Sequence, residues 1–349
     1  MLEIGPQHTI NYRQEILTRF FNHIKGAESF YVLGGASMGK TRLLDFLMKK
    51  DVQVHYLGEK ASRFWLIRVD LNRLSIRDEA WAFYELLLSS IVLELSNHEV
   101  SDALRIELVD LDSRVIQSHD QLLALRFFEL AVNRLCQVFD LNLCFLLDEF
   151  DEAYRDLSRE IFSQLRAVRD ANKNRVSYGV FLRNLPERLR PSLDNESFYE
   201  LLSRNMLVLG PYSKADTIPI IQQMEVRRDY PLTPAQRERL YEASGGHAGL
   251  IQAFFSILHE NSQAIQKVGT AGWIEWFGQQ PVSVEECRKI WEGLAPDEQD
   301  GLKAFVEGDQ SRVTISTAKL LLAKGLLQTI NNAPSFFSPV FERYVRSLS

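Results

Sequence analysis

One octapeptide limits the folds open to this chain more than any other stretch. "GGASMGKT", Gly34 to Thr41, lies between an apolar run, "SFYVL", and an amphipathic one, "KTRLLDFLMKK". Glycine accepts backbone conformations closed to other residues and leaves no Cβ in a concave turn. An apolar strand that stops at such a turn and resumes as a helix aims several main-chain N–H groups, and the positive helix end, at one point. That arrangement holds an anion. By chance, Gly-x-x-x-x-Gly-Lys-Ser/Thr arises in a chain of this length about once in a hundred. The plainer reading, a glycine-rich turn with a solvated lysine, must also explain why the match sits between a strand and a helix, as the motif's mechanism requires.

The pattern is the P-loop. Lys40 would reach the β- and γ-phosphates of a triphosphate, and at contact distance its charge contributes about 4 kcal/mol at an effective dielectric near 20. The hydroxyl of Thr41 would face Mg²⁺. Gly34, Gly35, Ala36, Ser37, Met38, Gly39, Lys40, Thr41 and Arg42 form the candidate nucleotide-binding set. A partner acid belongs at the end of a neighbouring buried strand, and "CFLLDE" supplies it. Asp148 would hold the metal through its water shell, and Glu149 would polarise an attacking water. The competing reading makes Asp148, Glu149, Asp151 and Glu152 a solvated helix start, where acids suit the dipole.

Around these motifs the hydrophobic pattern alternates between two periods. Residues 11–24 have helical spacing, with Ile16, Phe20 and Ile24 on one face. Apolar strands are expected at "SFYVLGG", "FWLIRVDL", "LNLCFLLDEF", "VSYGVFLRN" and "NMLVLGP", with helices near 78–95, 121–139 and 159–170. Runs apolar at nearly every position suit a parallel sheet covered on both faces. The fold class is therefore α/β, a parallel-sheet P-loop core. Beyond Pro211 the strands cease. Three short helices are expected, the first two starting at Ser213 and Thr233. From about Pro281 the order helix, helix, helix, strand, turn at Asn331–Asn332, strand is that of a winged helix. The expected domains are 1–210 (with an entry helix in 1–25), a helical lid at 211–280 and the winged helix at 281–349.

With a P-loop, an apolar strand ending in Asp-Glu, five strands, a lid and a winged helix, the chain resembles the AAA+/STAND branch of P-loop ATPases. That resemblance implies ATP or ADP with Mg²⁺, and a first strand flanked by the fourth and fifth. The opening "NYRQE", Asn11 to Glu15, is similar to the branch's entry segment, with Tyr12 in place of its glycine and Arg13 near the adenine. "VFLRN" offers Asn184, beside Arg183, as the polar sensor at the end of the fourth strand; a polar strand cap is the alternative. Arg204, just before the fifth strand, resembles an arginine finger, against the simpler reading of a surface arginine. "ASGGHAGLIQAFF" is similar to the lid motif, with Ala248 for the usual proline and no arginine soon after. His247 either approaches the phosphates or caps a helix. The departure fits slow hydrolysis.

Composition narrows the partners. The net charge is −6, so no global basic field draws nucleic acid. In the C-terminal segment Arg288, Lys289, Lys303, Arg312, Lys319, Lys324, Arg343 and Arg346 face nine acids. The candidate recognition helix has Lys319 and Lys324 on a mostly apolar body. A DNA reader needs a basic stripe. The favoured function is an ATP-dependent switch that acts on a protein partner or a second copy. A DNA-remodelling ATPase gripping duplex DNA is the rival, and a nucleotide-binding scaffold that never hydrolyses is the third reading. Cys136, Cys144 and Cys287 are scattered, which suits buried thiols rather than a disulfide framework. No run is long and apolar enough to span a bilayer, and no signal peptide is visible, so a cytoplasmic location without membrane contact is expected.

Overall fold

The computed structural model describes residues 9–74, 80–191, 196–261, 269–330 and 333–348. Helix α1, Gln14–Lys25, buries Leu17, Phe20, Phe21 and Ile24. Strand β1, Phe30–Leu33, precedes α2, Lys40–Leu47, and α3, Lys50–Leu57. Strand β2, Phe64–Asp70, is followed by α4, Ala80–Glu94, α5, Asp102–Ser118, and α6, Gln121–Asn133, which runs into a turn of π-helix, Arg134–Val138. Then come β3, Asn142–Asp148, α7, Asp151–Asp156, α8, Arg159–Ala171, and β4, Val176–Leu182. Helices α9, Pro186–Leu189, and α10, Glu196–Leu202, lead to β5, Met206–Val208. The remainder is α11, Lys214–Arg228, α12, Pro234–Ser244, α13, Ala248–Glu260, α14, Trp273–Gly278, α15, Pro281–Glu292, α16, Pro296–Glu307, α17, Ile315–Ala323, the hairpin β6, Leu327–Ile330, with β7, Ala333–Phe336, and α18, Pro339–Arg346.

The five apolar runs become one sheet in the order β2-β3-β4-β1-β5, so β1 lies between the fourth and fifth strands as expected. The pairs β1–β4, β4–β3 and β3–β2 are parallel. Every residue of β1 and β4 is buried, as is all of β3 except its first. Strands covered on both faces have no polar side to show, which is why their sequences do not alternate. Aromatic rings fill the layers: Phe20 meets Phe30 edge-on at 4.8 Å, and Phe145 lies between Phe128 at 5.6 Å and Tyr178 at 6.0 Å. The parallel register puts the ends of β1, β3 and β4, at Leu33, Asp148 and Leu182, on one carboxyl edge of the sheet.

The described residues gather into two compact units. The sheet unit holds residues 16–33 and 41–207. The P-loop unit holds 9–15, 34–40 and the chain from Val208 onward. In the sheet unit α4, α5 and α6 pack on one another and α4 packs on β2. In the P-loop unit Ser213 and Thr233 cap α11 and α12, as their sequence predicts. Thr233 adds a full capping box with Gln236.

Helices α3, α5, α9, α10, α14 and α18 were not expected, and α7 only under the competing reading of the acids. Helix α18 begins where Ser338 caps the amide of Phe341 and Pro339 takes the first position. The expected third helix of the C-terminal segment stops at Ala323, and Leu327–Ile330 pairs with Ala333–Phe336 as an antiparallel hairpin. The expected turn at Asn331–Asn332 and the helix start at Asp78 lie outside the described residues. All three cysteines are buried free thiols, as expected. Among the described residues no helix is long and apolar enough to cross a membrane.

Candidate functional site

The glycine-rich turn is built by what its carbonyls do. Lys40 Nζ donates to Gly34 O at 2.9 Å and to Gly35 O at 3.4 Å. His247 Nε2 meets Ala36 O at 3.1 Å, the amide of Gly249 donates to Ser37 O at 3.2 Å, and Arg13 Nη2 donates to Met38 O at 3.2 Å. Carbonyls 34 to 38 all accept bonds from these donors. In a trans peptide the following N–H points the opposite way from the C=O. Fixing that run of carbonyls therefore turns the amides after them to the other side of the loop. Ser37 (φ 53°) and Gly39 (φ 88°) adopt left-handed conformations within this run, the curvature of an anion nest. Gly39 is required twice over: by its φ, and because a Cβ there would lie 2.5 Å from the Tyr212 hydroxyl. Lys40 is only 6% exposed, so its ammonium is held against the same loop.

Arg13 and His247 come to this loop from far along the chain. Arg13 (φ 46°) also donates through Nη1 to Gly210 O at 2.8 Å, and its amide donates to Asp216 Oδ1 at 3.1 Å. Its guanidinium lies 4.2 Å from the Tyr212 ring centre. Tyr12, at the position of the entry segment's glycine, is buried with its ring 5.9 Å from that of Tyr212. Of the two readings of His247, the helix cap is the one its contacts show. Its Nδ1 accepts from the amide of Leu250 at 3.3 Å and so caps α13. Nε2 then carries the proton and donates to Ala36 O. Burial pushes the imidazole down to about 4, which keeps it neutral and leaves Nδ1 able to accept the Leu250 amide.

The acids belong to the sheet unit. Asp148, at the end of β3, accepts from Arg68 Nη2 at 2.9 Å and from the amide of Glu149 at 3.0 Å. Arg68 also donates to Asp45 Oδ1 at 2.8 Å, which ties α2 to β2. The side chain of Asp148 is 4% exposed. Burial raises its pKa and the neighbouring Arg68 guanidinium opposes that shift. A carboxylate accepts about four hydrogen bonds, and these contacts use one lone pair on each oxygen. Thr41 stands one helical turn before Asp45 and so on the same face of α2. A hydroxyl and a carboxylate with spare lone pairs are oxygen donors of the kind Mg²⁺ takes through water, so these residues fit the ion.

Glu149 sits at φ 52°, and its Oε2 accepts from Arg183 Nη2 at 2.5 Å. Asp151 accepts from the amides of Arg183 and Asn184, fixing the turn that leaves β4. Asn184 keeps a buried Oδ1 that accepts no bond among the described residues. The sheet thus brings together Asp148, Glu149, Arg183 and Asn184 at its carboxyl edge. Arg42, in the first turn of α2, is partly exposed, and Arg204 lies exposed in the turn between α10 and β5. Sequence reasoning missed Arg68, Asp45 and Gly249. Arg68 had a signal: it is the one cation inside the apolar run "FWLIRVD".

No protein-family model matches the sequence, and the comparison with curated proteins found no match. Solved structures do match over the full chain. A Walker-type ATPase of Pyrococcus abyssi aligns with 99% of this chain and 99% of its own, at TM-score 0.58 and 14% identity. The ORC2 protein of Aeropyrum pernix aligns in two forms. The ADPNP–ADP complexes give TM-score 0.53, 15% identity, and 100% and 97% of the two chains. The ADP form gives 0.54, 15%, and 99% and 96%. The chain has the fold of these P-loop ATPases.

Proposed function

We propose that this chain is an ATP-binding, slowly hydrolysing switch. Its nucleotide state would set the arrangement of the helical lid (211–280) and a C-terminal winged helix (281–349), and through them the binding of a protein partner or a second copy. The observation that carries this reading is the run of accepting carbonyls from Gly34 to Met38, which commits the loop's amides to an anion. Lys40 adds charge for the outer phosphates. Adenine nucleotide is favoured because the fold is shared with structures described as ADPNP and ADP complexes. When bound, Mg²⁺ supplies charge neutralisation of the phosphates, with Thr41 and Asp148 as its holders. Glu149 would orient and deprotonate the attacking water. Its tie to Arg183 keeps that base occupied and supports a slow basal rate. Asn184 would contact the γ-phosphate side, and Arg204, exposed, is free to serve a neighbouring copy.

The C-terminal helices favour a protein partner over duplex DNA. In α17 the exposed residues are Ile315 (75%), Ser316, Lys319, Leu322 (41%) and Ala323. Lys324, which the sequence offers as a second phosphate contact, is 2% exposed and paired with Glu298 at 2.6 Å. One cation among exposed apolar side chains cannot neutralise a row of phosphates. Phosphate release tests the enzymatic half: Glu149→Gln should lower the rate about 100-fold or more while nucleotide still binds. Equal rates would reduce the protein to a scaffold. Duplex binding that falls steeply with salt would move the reading to a DNA-acting ATPase.

A further inference from the structure

Behind the P-loop, within the same unit, stands an acid that the nucleotide reading does not use. Glu286, on α15, is 9% exposed. Its Oε1 is buried and accepts no hydrogen bond among the described residues, and its Oε2 lies 3.6 Å from Lys289 Nζ. Oε1 presses on the backbone of Gly249: a Cβ added at 249 would lie 1.9 Å from Oε1 and 2.7 Å from Ser37 Cβ. Residue 249 is therefore a glycine because it is wedged between this acid and the loop. The same glycine donates its amide to Ser37 O. The carboxylate also acts on His247, the donor to Ala36 O, opposing the fall in its pKa. Farther along, a Cβ at Gly293, just past the end of α15, would lie 3.6 Å from Ala36 Cβ. Helix α15 thus runs along the back of the loop's tip.

The positive N-terminus of α13 makes the acid tolerable there. It does not explain a buried oxygen left without a bond, which costs stability. A polyphosphate on the concave face of the loop would bring several negative charges near this carboxylate, through protein that screens poorly. The repulsion grows with the phosphate charge. We propose that Glu286 is a specificity-determining residue: it weakens polyphosphate binding at the P-loop, and weakens a triphosphate more than a diphosphate. Coupling is reciprocal, so a bound triphosphate loosens the hold of α15 on the loop. The inference rests on the nucleotide reading above and names its regulation: the third phosphate is felt by the C-terminal helices through one carboxylate.

Calorimetric titration with Mg·ADP and a non-hydrolysable Mg·ATP analogue tests it on wild type, Glu286→Gln and Glu285→Gln. Glu285 pairs with Arg288 on the exposed side of α15, so its variant makes the same charge change away from the loop. Glu286→Gln should bind the analogue about 10-fold tighter and ADP about 3-fold tighter, while Glu285→Gln matches wild type. Wild-type binding with no gain in Glu286→Gln, or an equal gain in Glu285→Gln, overturns the inference alone. Wild type that binds neither nucleotide overturns the nucleotide reading and this one with it. Should Glu286→Gln not fold, hydrogen exchange on wild type decides. The amides of α15 should exchange faster with the analogue than with ADP, and equal rates reject the coupling.

Discussion

At the sheet's carboxyl edge the charges are side chains: Asp148 answered by Arg68, Glu149 by Arg183. In the P-loop unit they are peptide dipoles, oriented by donors that arrive from residues 13, 40, 247 and 249. The contrast separates two kinds of pre-organisation. A carboxylate holds its charge wherever it is placed and needs only a counter-ion. A backbone amide becomes an anion ligand only when its neighbouring carbonyls are held the other way. The sheet unit should therefore forgive changes to the turn and suffer from loss of a counter-ion, and the P-loop unit should do the reverse.

The largest effect is expected in the P-loop unit. Gly39→Ala forces a side chain into a left-handed φ and against the Tyr212 hydroxyl, and should cost about 3 kcal/mol in urea denaturation. A change under about 0.5 kcal/mol would mean that the turn is not fixed as described. In the sheet unit, Arg68→Met leaves the buried Asp148 without its counter-ion and should cost about 2 kcal/mol, discounted because Arg68 is 28% exposed. Neutral behaviour would show that Asp148 does not need its arginine.

The smallest effect separates the units by pH. His247 is held down to about 4 by burial, so between pH 6.5 and 4 the unfolded chain binds a proton there that the folded chain refuses. Acidification should weaken the P-loop unit over that window. Asp112, in the sheet unit, is raised to about 6 by burial and by Glu85. It holds a proton when folded that the unfolded chain lacks until near pH 4, so the same acidification should strengthen its surroundings. The two oppose, and a whole-chain denaturation curve should shift by less than about 1 kcal/mol. Hydrogen exchange would resolve them, with α13 losing protection and α5 gaining it. His247→Asn, which keeps a capping side chain, should remove the first trend, and Asp112→Asn the second.

The same contrast explains what could be read from the sequence. The strands, the P-loop and the Asp148–Glu149 pair are local patterns, and each formed where its residues stand. Apart from Lys40, the donors that orient the loop are far from it in sequence, and no spacing rule links Gly249 to Ser37. His247 was legible as a helix cap, but not its bond to the loop carbonyl of Ala36. Helix α5 escaped notice for a different reason. It buries Leu104, Leu108, Leu111 and Val115, yet Ile106, Val109 and Ile116 lie exposed on its other side, so its apolar residues blur the helical period. Helix α18 was hidden by its start, since "FFSPVF" reads as strand until Ser338 is recognised as a cap.

The central claim is that amides turned inward from Gly35 to Gly39, with Lys40, enclose a polyphosphate. Calorimetric titration of Mg·ATP into wild type and Lys40→Ala measures it most directly. The account predicts saturable one-to-one binding by wild type and affinity at least about 100-fold weaker without the ammonium. Equal affinity in the two proteins, or no heat from wild type, would contradict it.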